Sequence, residues 1–479
     1  LIAGTDTHAL NAEHLEVRSV LQASKNVNFA NEDAWDLSFK TYDELVGAYE
    51  KQDSIPREKY MEAIRNTNVM ADMIEEYEID DSKKYPKLYN DSEAVFKQKI
   101  VEGMKRRGID KLPNLKEYVD RVNYEMDTYR HNGAIDFMLL EEDYKAAMRK
   151  KGIYPGYSRG SVSGSIIAYL LGITEVDSIK HHLNFSRFMN KERVSLADID
   201  SDWYDDDREV VKKYLYNKDG LYCCDIITFN TIKLKGAIRD ICRGLYRDAE
   251  GVGYLKLANE IIALAEIDED KARQRYPDIF KYVDIANGVI VSVGNHPAGV
   301  VVSPFPVEGE FGTFTSKTNN YPISQINMKE IDSLNYVKLD ILGLSNNGLI
   351  NKTCELAGIE RLTPNNTPLD EAVWKSIRDD TTLIFQWESG SAASYLKHLF
   401  SDETIAKIKA KNPNFSYMDL LSIGNGAIRP AGASYRDELA SGEFRDNGND
   451  ALNEMLAPTL GFLVFQEQII QFLHEFCGY

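Results

Sequence analysis

Hydrophobic and polar residues alternate over residues 337–344, which is the pattern of a half-buried strand. Val337, Leu339 and Ile341 are apolar, and the charged residues Lys338 and Asp340 stand between them. Because successive side chains of a strand point to opposite faces, the apolar residues would share a buried face and the charged residues the other. A charged pair inside an apolar strand needs a partner. We therefore predict a strand that presents Lys338 and Asp340 to a charged site.

Apolar residues recur every three to four positions in other stretches, which is the spacing of amphipathic helices. Residues 117–130 are an example, with Tyr118, Val122, Met126 and Tyr129 on one stripe. Core packing explains this stripe, and we assign it no chemistry. Helices are also predicted over residues 42–50, 60–77, 141–151, 166–171 and 205–216.

Three aspartates, Asp198, Asp200 and Asp202, alternate with other residues. On a strand their carboxylates would line one edge, and their repulsion costs free energy unless a cation or a basic partner neutralises it. One interpretation is a site for a hard divalent cation, and the other is an acidic loop with incidental alternation. Asp340 lies about 140 residues further on, so it can share a cation with Asp198 and Asp200 only if the chain folds back. That would make a discontinuous domain with the intervening segment inserted.

A loop of small residues, 158–165, leads into the apolar segment 166–171 and contains Arg159. Backbone amides in such a loop and at the start of a helix can receive phosphate oxygens, and Arg159 adds positive charge. The loop is therefore a candidate anion site.

A basic stripe is predicted on a helix within residues 217–287. Its members recur every four residues, at Lys235, Arg239, Arg243 and Arg247. Four cations on one face need an anionic neighbour, and the phosphates of duplex DNA are one candidate. A solvated basic face is the alternative, because Asp240 and Asp248 lie close enough to screen it.

Composition excludes several classes of protein. The chain has 479 residues, with 56 Lys and Arg against 75 Asp and Glu, and a formal net charge of −19. This acidity argues against a protein that coats DNA by bulk positive charge, so DNA contacts must use local basic patches. The five cysteines show no C-x-x-C pair or regular spacing, which indicates neither a zinc knuckle nor a disulfide framework.

The chain length suggests about three domains. No apolar run approaches the ~20 residues that span a bilayer, and no signal peptide is visible. We expect a soluble protein of a reducing cytoplasm with no membrane partner. Because Leu1 is not a start methionine and Tyr479 directly follows a helical pattern, we also expect a fragment.

Seven segments occur in the order that they have in the C family of replicative DNA polymerases, which the chain resembles over essentially its whole length. This family includes the alpha subunit of bacterial DNA polymerase III and phage relatives. The segments are SRGSVSGS (158–165), NKERVSLADIDSD (190–202), NHPAGVVV (295–302), VKLDILGL (337–344), FQWES (385–389), IRP (428–430), and PTLGF (458–462) with FQEQ (465–468).

The resemblance implies a multidomain α/β protein, with a nucleotidyltransferase-like palm, a small helical thumb inserted in it, and a mostly helical fingers domain. The expected domains are the remnant of a PHP-like domain with its connection (1–90), a first palm segment (91–215), the thumb (216–287), a second palm segment (288–345) and incomplete fingers (346–479). The implied reaction adds deoxynucleotides to a primer 3′-hydroxyl by two-metal-ion phosphoryl transfer and releases pyrophosphate.

The resemblance also implies ligands and partners. Two Mg²⁺ ions would be the cofactors, and primer-template DNA and deoxynucleoside triphosphates would be the substrates. The complete protein would also bind a sliding clamp and other replisome subunits. The expected location is the cytoplasm, or the host cytoplasm if the source is a phage.

By the same resemblance, Asp198, Asp200 and Asp340 would be the catalytic, metal-binding carboxylates. Asp202 would be an extra carboxylate next to them that does not bind the metal directly. The basic stripe would contact DNA. The nucleotide-binding residues would be Arg159, Gly160, Ser161, Arg187, Lys338 and Arg429. For Arg187 the alternative is an ion pair with Asp202 or Glu192.

The first ten residues predict a short apolar strand that ends in Asp6 and His8. Residues two apart on a strand share a face, so this pair suits a transition-metal ion, and a plain surface pair is the alternative. The pair resembles the last metal motif of the family's PHP domain. Two other functions therefore remain: a metal-dependent phosphoesterase centred on this segment, and a catalytically inactive DNA-binding relative.

Overall fold

The computed structural model describes residues 1–27, 35–192, 198–247, 251, 253–367 and 370–479. Over these residues the chain is a mixed α/β protein, as predicted. None of the helices described there is both long enough and apolar enough to cross a membrane.

The described residues contain one six-stranded sheet, with strand order β1-β6-β3-β2-β5-β4. Strand β6 is parallel to β1 on one side and antiparallel to β3 on the other, and β4 is antiparallel to β5. The strands are β1 (Asp200–Trp203), β2 (Tyr222–Thr231), β3 (Ile290–Ser303), β4 (Thr313–Phe314), β5 (Ile323–Asn327) and β6 (Val337–Gly343).

Helices make up much of the rest of the described chain. Those before β2 are α1 (Ala12–Lys25), α2 (Tyr42–Gln52), α3 (Arg57–Asp72), α4 (Ser92–Arg106), α5 (Leu115–His131), α6 (Ile135–Arg149), α7 (Ile166–Leu171) and α8 (Arg208–Tyr216). Between β2 and β6 are α9 (Leu234–Tyr246), α10 (Tyr254–Ile267), α11 (Glu269–Arg275), α12 (Pro277–Ala286), α13 (Val307–Glu310) and α14 (Met328–Ser333). After β6 come α15 (Ser345–Ala357), α16 (Glu371–Asp379), α17 (Gly390–Leu399), α18 (Asp402–Lys411), α19 (Tyr417–Ala427), α20 (Arg436–Ala440), α21 (Asp450–Leu456) and α22 (Gln466–Cys477).

The chain divides into two compact units, and the larger one comprises residues 82–225, 297–325 and 329–479. One of its apolar cores joins β1 and β6 to α4–α7 and includes Trp203 and Ile341, both fully buried. Its second core lies among α16–α20 and includes Leu460 and Phe462. The first core supports the candidate site, because it fixes the strands that carry the acidic residues.

The smaller unit comprises residues 1–81, 226–296 and 326–328. Its core joins α1 to α9–α12 through Val17 and the buried faces of those helices. Helices α1 and α9 approach so closely that a Cβ atom on Gly244 would lie 2.2 Å from the carbonyl oxygen of Val20. Helix α1 and helices α9–α12 therefore share one core, although the resemblance places them in different predicted domains.

Two local predictions were wrong. The predicted helical segment 216–287 starts with strand β2 before its helices α9–α12, because the run Tyr222–Thr231 is apolar and largely buried in its first half. Residues 1–8 do not form the predicted strand, and an isolated bridge joins Ala9 to Ser38. The alternating pattern of 337–344 was confirmed, since Val337, Leu339 and Ile341 are buried and the residues between them are half-buried.

Candidate active site

The sheet brings two distant aspartates together. Asp200 begins β1 and Asp340 lies in the middle of β6, and the two residues are register partners on adjacent parallel strands. On the other side of β6, Gly299 of β3 is the partner of Asp340. The apolar face of β6 is buried, so Asp340 is held on the opposite face by the packing of its neighbours.

Asp198, Asp200 and Asp340 form one acidic cluster, which we call the carboxylate triad. One carboxylate oxygen from each residue lies within 4.8 Å of the others. The predicted return of the chain to the earlier strand is therefore confirmed. Hard cations such as Mg²⁺ prefer carboxylate oxygens, and the spacing lets the three groups share an ion.

Lys338 supplies positive charge beside the triad. Its ammonium nitrogen lies 3.8 Å from Asp198 Oδ2 and 3.5 Å from Asp332 Oδ1, and its side chain is only 12% exposed. Burial lowers the pKa of Lys338, but the surrounding carboxylates, Asp198 first, raise it above its ordinary value. Burial also raises the pKa of Asp198, and its two triad neighbours act in the same direction while Lys338 opposes them. The triad is thus a partly buried acidic site with Lys338 as a built-in cation.

Asp202 is not part of the triad, although its position two residues after Asp200 predicted a shared edge. Its Oδ1 accepts a hydrogen bond of 2.9 Å from Arg159, whose Nε also lies 3.6 Å from Asp200. Burial raises the pKa of Asp202, and the Arg159 charge opposes this. Asp202 therefore anchors Arg159 beside the triad. Residues 193–197 of this segment lie outside the described residues.

The small-residue loop forms a short 3-10 helix, Gly160–Gly164, and α7 starts directly after it. The structure corrects one prediction here, because the amides at the start of α7 already have partners. Ile166 and Ile167 each donate their N–H to Glu125 at 3.0 Å, and Ala168 donates to Ser165 Oγ. These three N–H groups are therefore not available to a phosphate.

The two remaining arginines of the predicted nucleotide site lie in different surroundings. Arg187 forms an ion pair with Glu467 of α22, rather than with Asp202 or Glu192. Arg429 is extended before Pro430, as predicted, and its side chain is exposed.

The basic stripe on α9 is divided by packing within the smaller unit. Arg247 donates to the Ser24 carbonyl at 2.6 Å and also bonds Asn26, and Arg243 lies 3.6 Å from Asp240. Lys235 forms an exposed ion pair with Glu266, and Arg239 is exposed. The stripe therefore presents Lys235 and Arg239 to solvent, while Arg247 at its C-terminal end holds the end of α1. Asp248 lies outside the described residues.

Asp6 and His8 contact each other instead of opening toward a shared ion. His8 Nε2 lies 2.8 Å from Asp6 Oδ1, and both side chains are largely exposed. Among the described residues, no third His, Cys, Asp or Glu joins them in a group that could hold a metal. This arrangement is that of a surface pair.

A family model described as the bacterial DNA polymerase III alpha NTPase domain matches residues 94–343, which is more than half of the chain and includes the whole triad. The chain belongs to the bacterial DNA polymerase III alpha family. The resemblance predicted from the ordered motifs is thus confirmed.

Individual members of this family are similar over much of the chain. The DNA polymerase III subunit alpha of Bacillus subtilis (strain 168) is 31% identical over 388 residues, covering 76% of this chain and 33% of the relative. The Ureaplasma parvum serovar 3 protein is 29% identical, covering 81% and 40%. The Halalkalibacterium halodurans protein is 27% identical, covering 100% and 43%. The chain spans less than half the length of these polymerase subunits.

Sequence reasoning missed two carboxylates that contact the surroundings of the triad, Glu125 behind the small-residue loop and Asp332 beside Lys338. Glu125 gives no local signal beyond an i,i+4 pair with Arg121, which is ordinary on a helix surface. Asp332 carries no motif, and its contact with Lys338 depends on the turn between α14 and β6. Both roles depend on tertiary contacts that no short pattern encodes.

Proposed function

We propose that this chain carries the catalytic centre for template-directed DNA synthesis. The reaction adds a deoxynucleotide to the 3′-hydroxyl of a primer and releases pyrophosphate. The observation that carries the proposal is the convergence of Asp198, Asp200 and Asp340 within 4.8 Å, in a chain of the polymerase III alpha family. Phosphoryl transfer to a hydroxyl needs this kind of dense carboxylate site.

The residues present fit a divalent cation. Three carboxylates converge beside the half-buried polar face of β6, and Lys338 offsets only part of their charge. In the proposal Asp198, Asp200 and Asp340 hold two Mg²⁺ ions. When bound, these ions supply charge neutralisation for the triphosphate and lower the pKa of the primer 3′-hydroxyl.

Positively charged side chains around the triad suit the triphosphate. Lys338 and Arg159 now contact the carboxylates, and both could turn toward phosphate oxygens when cations neutralise the triad. We assign Gly160 and Ser161, next to Arg159, to the same ligand. Arg187 and Arg429 are proposed to add charge, and Arg187 must first leave Glu467 to do so.

The larger architecture is proposed by analogy with the family. The sheet with α4–α8 is assigned as the palm, α9–α12 as the thumb, and the helices after β6 as the beginning of the fingers. Lys235 and Arg239 are the proposed contacts to duplex phosphates, because both are exposed on α9. In the complete protein we expect a sliding clamp and other replisome subunits as partners.

The direct test is primer extension by the full-length protein with Asp200→Asn. We expect extension to fall by at least about 1,000-fold, because the amide offers one weaker ligand oxygen and no charge. Asp206→Asn is the matched control, since Asp206 is an exposed carboxylate outside the triad. Retained extension by a folded Asp200→Asn protein would rule out the proposed centre.

A further inference from the structure

Glu125 of α5 is a fully buried carboxylate that the proposed chemistry does not use. Its Oε1 accepts from Ile166 N at 3.0 Å and from Arg121 Nε at 2.8 Å. Its Oε2 accepts from Ser165 Oγ at 2.7 Å and from Ile167 N at 3.0 Å. Four donors, one of them the positively charged Arg121, therefore converge on one buried side chain behind the Arg159–Ser165 loop.

The donor set is that of an ionised carboxylate. Burial raises the pKa of Glu125, but each of these four neighbours donates, and a protonated carboxyl would lose one acceptor. The start of a helix favours negative charge, and here the protein's own carboxylate occupies that position. An incoming phosphate is therefore excluded from the start of α7 and directed to the loop before it.

Arg121 extends the network to a second segment. Its Nη2 donates to the Gly164 carbonyl at 2.8 Å and to the Leu183 carbonyl at 3.2 Å. The loop and the segment after Leu183 also pack tightly, because a Cβ atom on Gly164 would lie 2.4 Å from the Asn184 carbonyl oxygen. Arg187 follows in the 3-10 helix Phe185–Arg187.

Tyr129 completes the network from the same helix. Its hydroxyl is 2.8 Å from Ser165 Oγ, and both residues are buried. Side chains on three successive turns of α5 thus hold the end of the loop. A rigid support of this kind sets the position of groups that touch a ligand without touching it themselves.

We propose that Glu125 is a positioning residue for the incoming triphosphate. With Arg121 and Ser165 it fixes the Arg159–Ser165 loop relative to the segment that carries Arg187, so that the loop meets the triphosphate in one geometry. This inference rests on the proposed function. It predicts that loss of the Glu125 charge weakens nucleotide binding more than it slows the chemical step.

The test is steady-state primer extension by the full-length protein with Glu125→Gln. The glutamine keeps the volume, but its NH₂ group faces donors instead of accepting from them. We expect the KM for deoxynucleoside triphosphate to rise by about 10-fold or more, while kcat changes by less than about 3-fold. The Kd for primer-template DNA should stay within about 2-fold of the wild-type value.

The matched control is Asp177→Asn. Asp177 is also a buried carboxylate that accepts from two backbone amides, those of Ile179 and Lys180, and from the Tyr118 hydroxyl. It has no hydrogen bond to the loop among those described. We expect Asp177→Asn to lower the melting temperature without raising the KM for nucleotide.

Three results would overturn the role of Glu125 while wild-type extension stays intact. One is an unchanged KM in folded Glu125→Gln, and another is an equal rise in KM for Asp177→Asn. If Glu125→Gln does not fold, Ser165→Ala is the second variant. It removes the hydroxyl through which Glu125 and Tyr129 hold the loop, and which also accepts from Ala168 N at the start of α7. We then expect a KM rise of about 3-fold, and an unchanged KM is the third overturning result. A wild-type protein that extends no primer contradicts the proposed function itself.

Discussion

The carboxylate triad and the basic stripe of α9 are both groups of like charge, but the fold treats them in opposite ways. The triad brings together residues from two distant segments, with one carboxylate oxygen of each residue within 4.8 Å of the others. The residues of the stripe are regularly spaced on one helix, yet Lys235 faces solvent while Arg247 packs against the end of α1. The contrast shows that spacing along the chain predicts convergence less well than strand register does.

Geometry explains the difference. Parallel strands β1 and β6 place Asp200 opposite Asp340. The hydrogen bonds between the two strands fix the pairing of the residues that follow, from Asp200 to Trp203. A helix turns by about 100° per residue, so residues four apart drift by about 40° at each step. Over the stripe the drift is about 120°, which carries Arg247 from the solvent side toward α1.

The surrounding charges differ as well. The triad keeps Lys338 and Arg159 as partners, and each touches a carboxylate without neutralising the whole group. Three cations of the stripe each meet a protein group of their own, such as Glu266 for Lys235. A cluster that keeps excess charge is the better candidate for a ligand site, because the excess must be offset by something bound.

The largest expected effect comes from breaking the triad at its distant member. Asp340→Asn should reduce primer extension by at least about 1,000-fold and leave the melting temperature close to the wild-type value, since Asp340 is half-buried. Asp332→Asn is the control, because Asp332 touches Lys338 but lies outside the triad. Equal losses for both variants would mean that the triad has no special role.

Lys338→Met removes the built-in cation and should expose the repulsion within the triad. We expect the metal-free protein to lose about 1–3 kcal/mol of unfolding free energy, and added Mg²⁺ to restore part of it. Thermal unfolding in EDTA and in Mg²⁺ measures both quantities. Lys338→Arg keeps the charge and should behave like the wild type in EDTA. If Mg²⁺ raises the stability of wild type and Lys338→Met by the same amount, the Lys338 charge and the bound cation do not act on the same carboxylates.

Arg247→Ala tests the buried end of the basic stripe. Its guanidinium donates to the Ser24 carbonyl, so removal should cost about 1–2 kcal/mol of unfolding free energy. Denaturant unfolding gives the value. Arg275→Ala is the matched control in the same unit, because its ion pair with Glu260 is exposed, and its cost should stay below about 0.5 kcal/mol. A cost for Arg247→Ala no larger than the control would contradict the division of the stripe.

Arg239→Ala should have the smallest effect, and only on DNA. Since Arg239 is exposed on α9, we expect unchanged stability, a loss of primer-template affinity of about 2–5-fold, and a fall of about 1 in the slope of log affinity against log salt. Fluorescence anisotropy at several salt concentrations measures both. An unchanged slope would leave the exposed half of the stripe as a solvated face.

Sequence patterns predicted the local part of the site well. The alternation of Val337, Leu339 and Ile341 with charged residues located β6 and its polar face, because period-two patterning is a direct consequence of strand geometry. The same rule was wrong for Asp202, which lies in β1 with Asp200 but pairs with Arg159 outside the triad. Asp198 reaches the triad from the segment before β1.

The remaining features depend on contacts between distant segments. Glu125 meets Ile166 and Ile167 across 41 and 42 residues of sequence, and no short pattern carries that information. The core shared by α1 and α9 likewise depends on the close approach at Gly244, a residue that reads as an ordinary helix glycine. Family resemblance predicted the third member of the triad, Asp340, because it supplies the long-range pairing that periodicity lacks.

The most direct test of the account is a crystal structure of the full-length protein with primer-template DNA and Mn²⁺, with the ions located by anomalous scattering. We predict Mn²⁺ bound to oxygens of Asp198, Asp200 and Asp340 at about 2.0–2.3 Å, with Lys338 and Arg159 turned away from the carboxylates. Saturating Mn²⁺ that binds elsewhere, while Arg159 and Lys338 keep their present contacts with the triad, would contradict the claim that these three carboxylates form the metal centre.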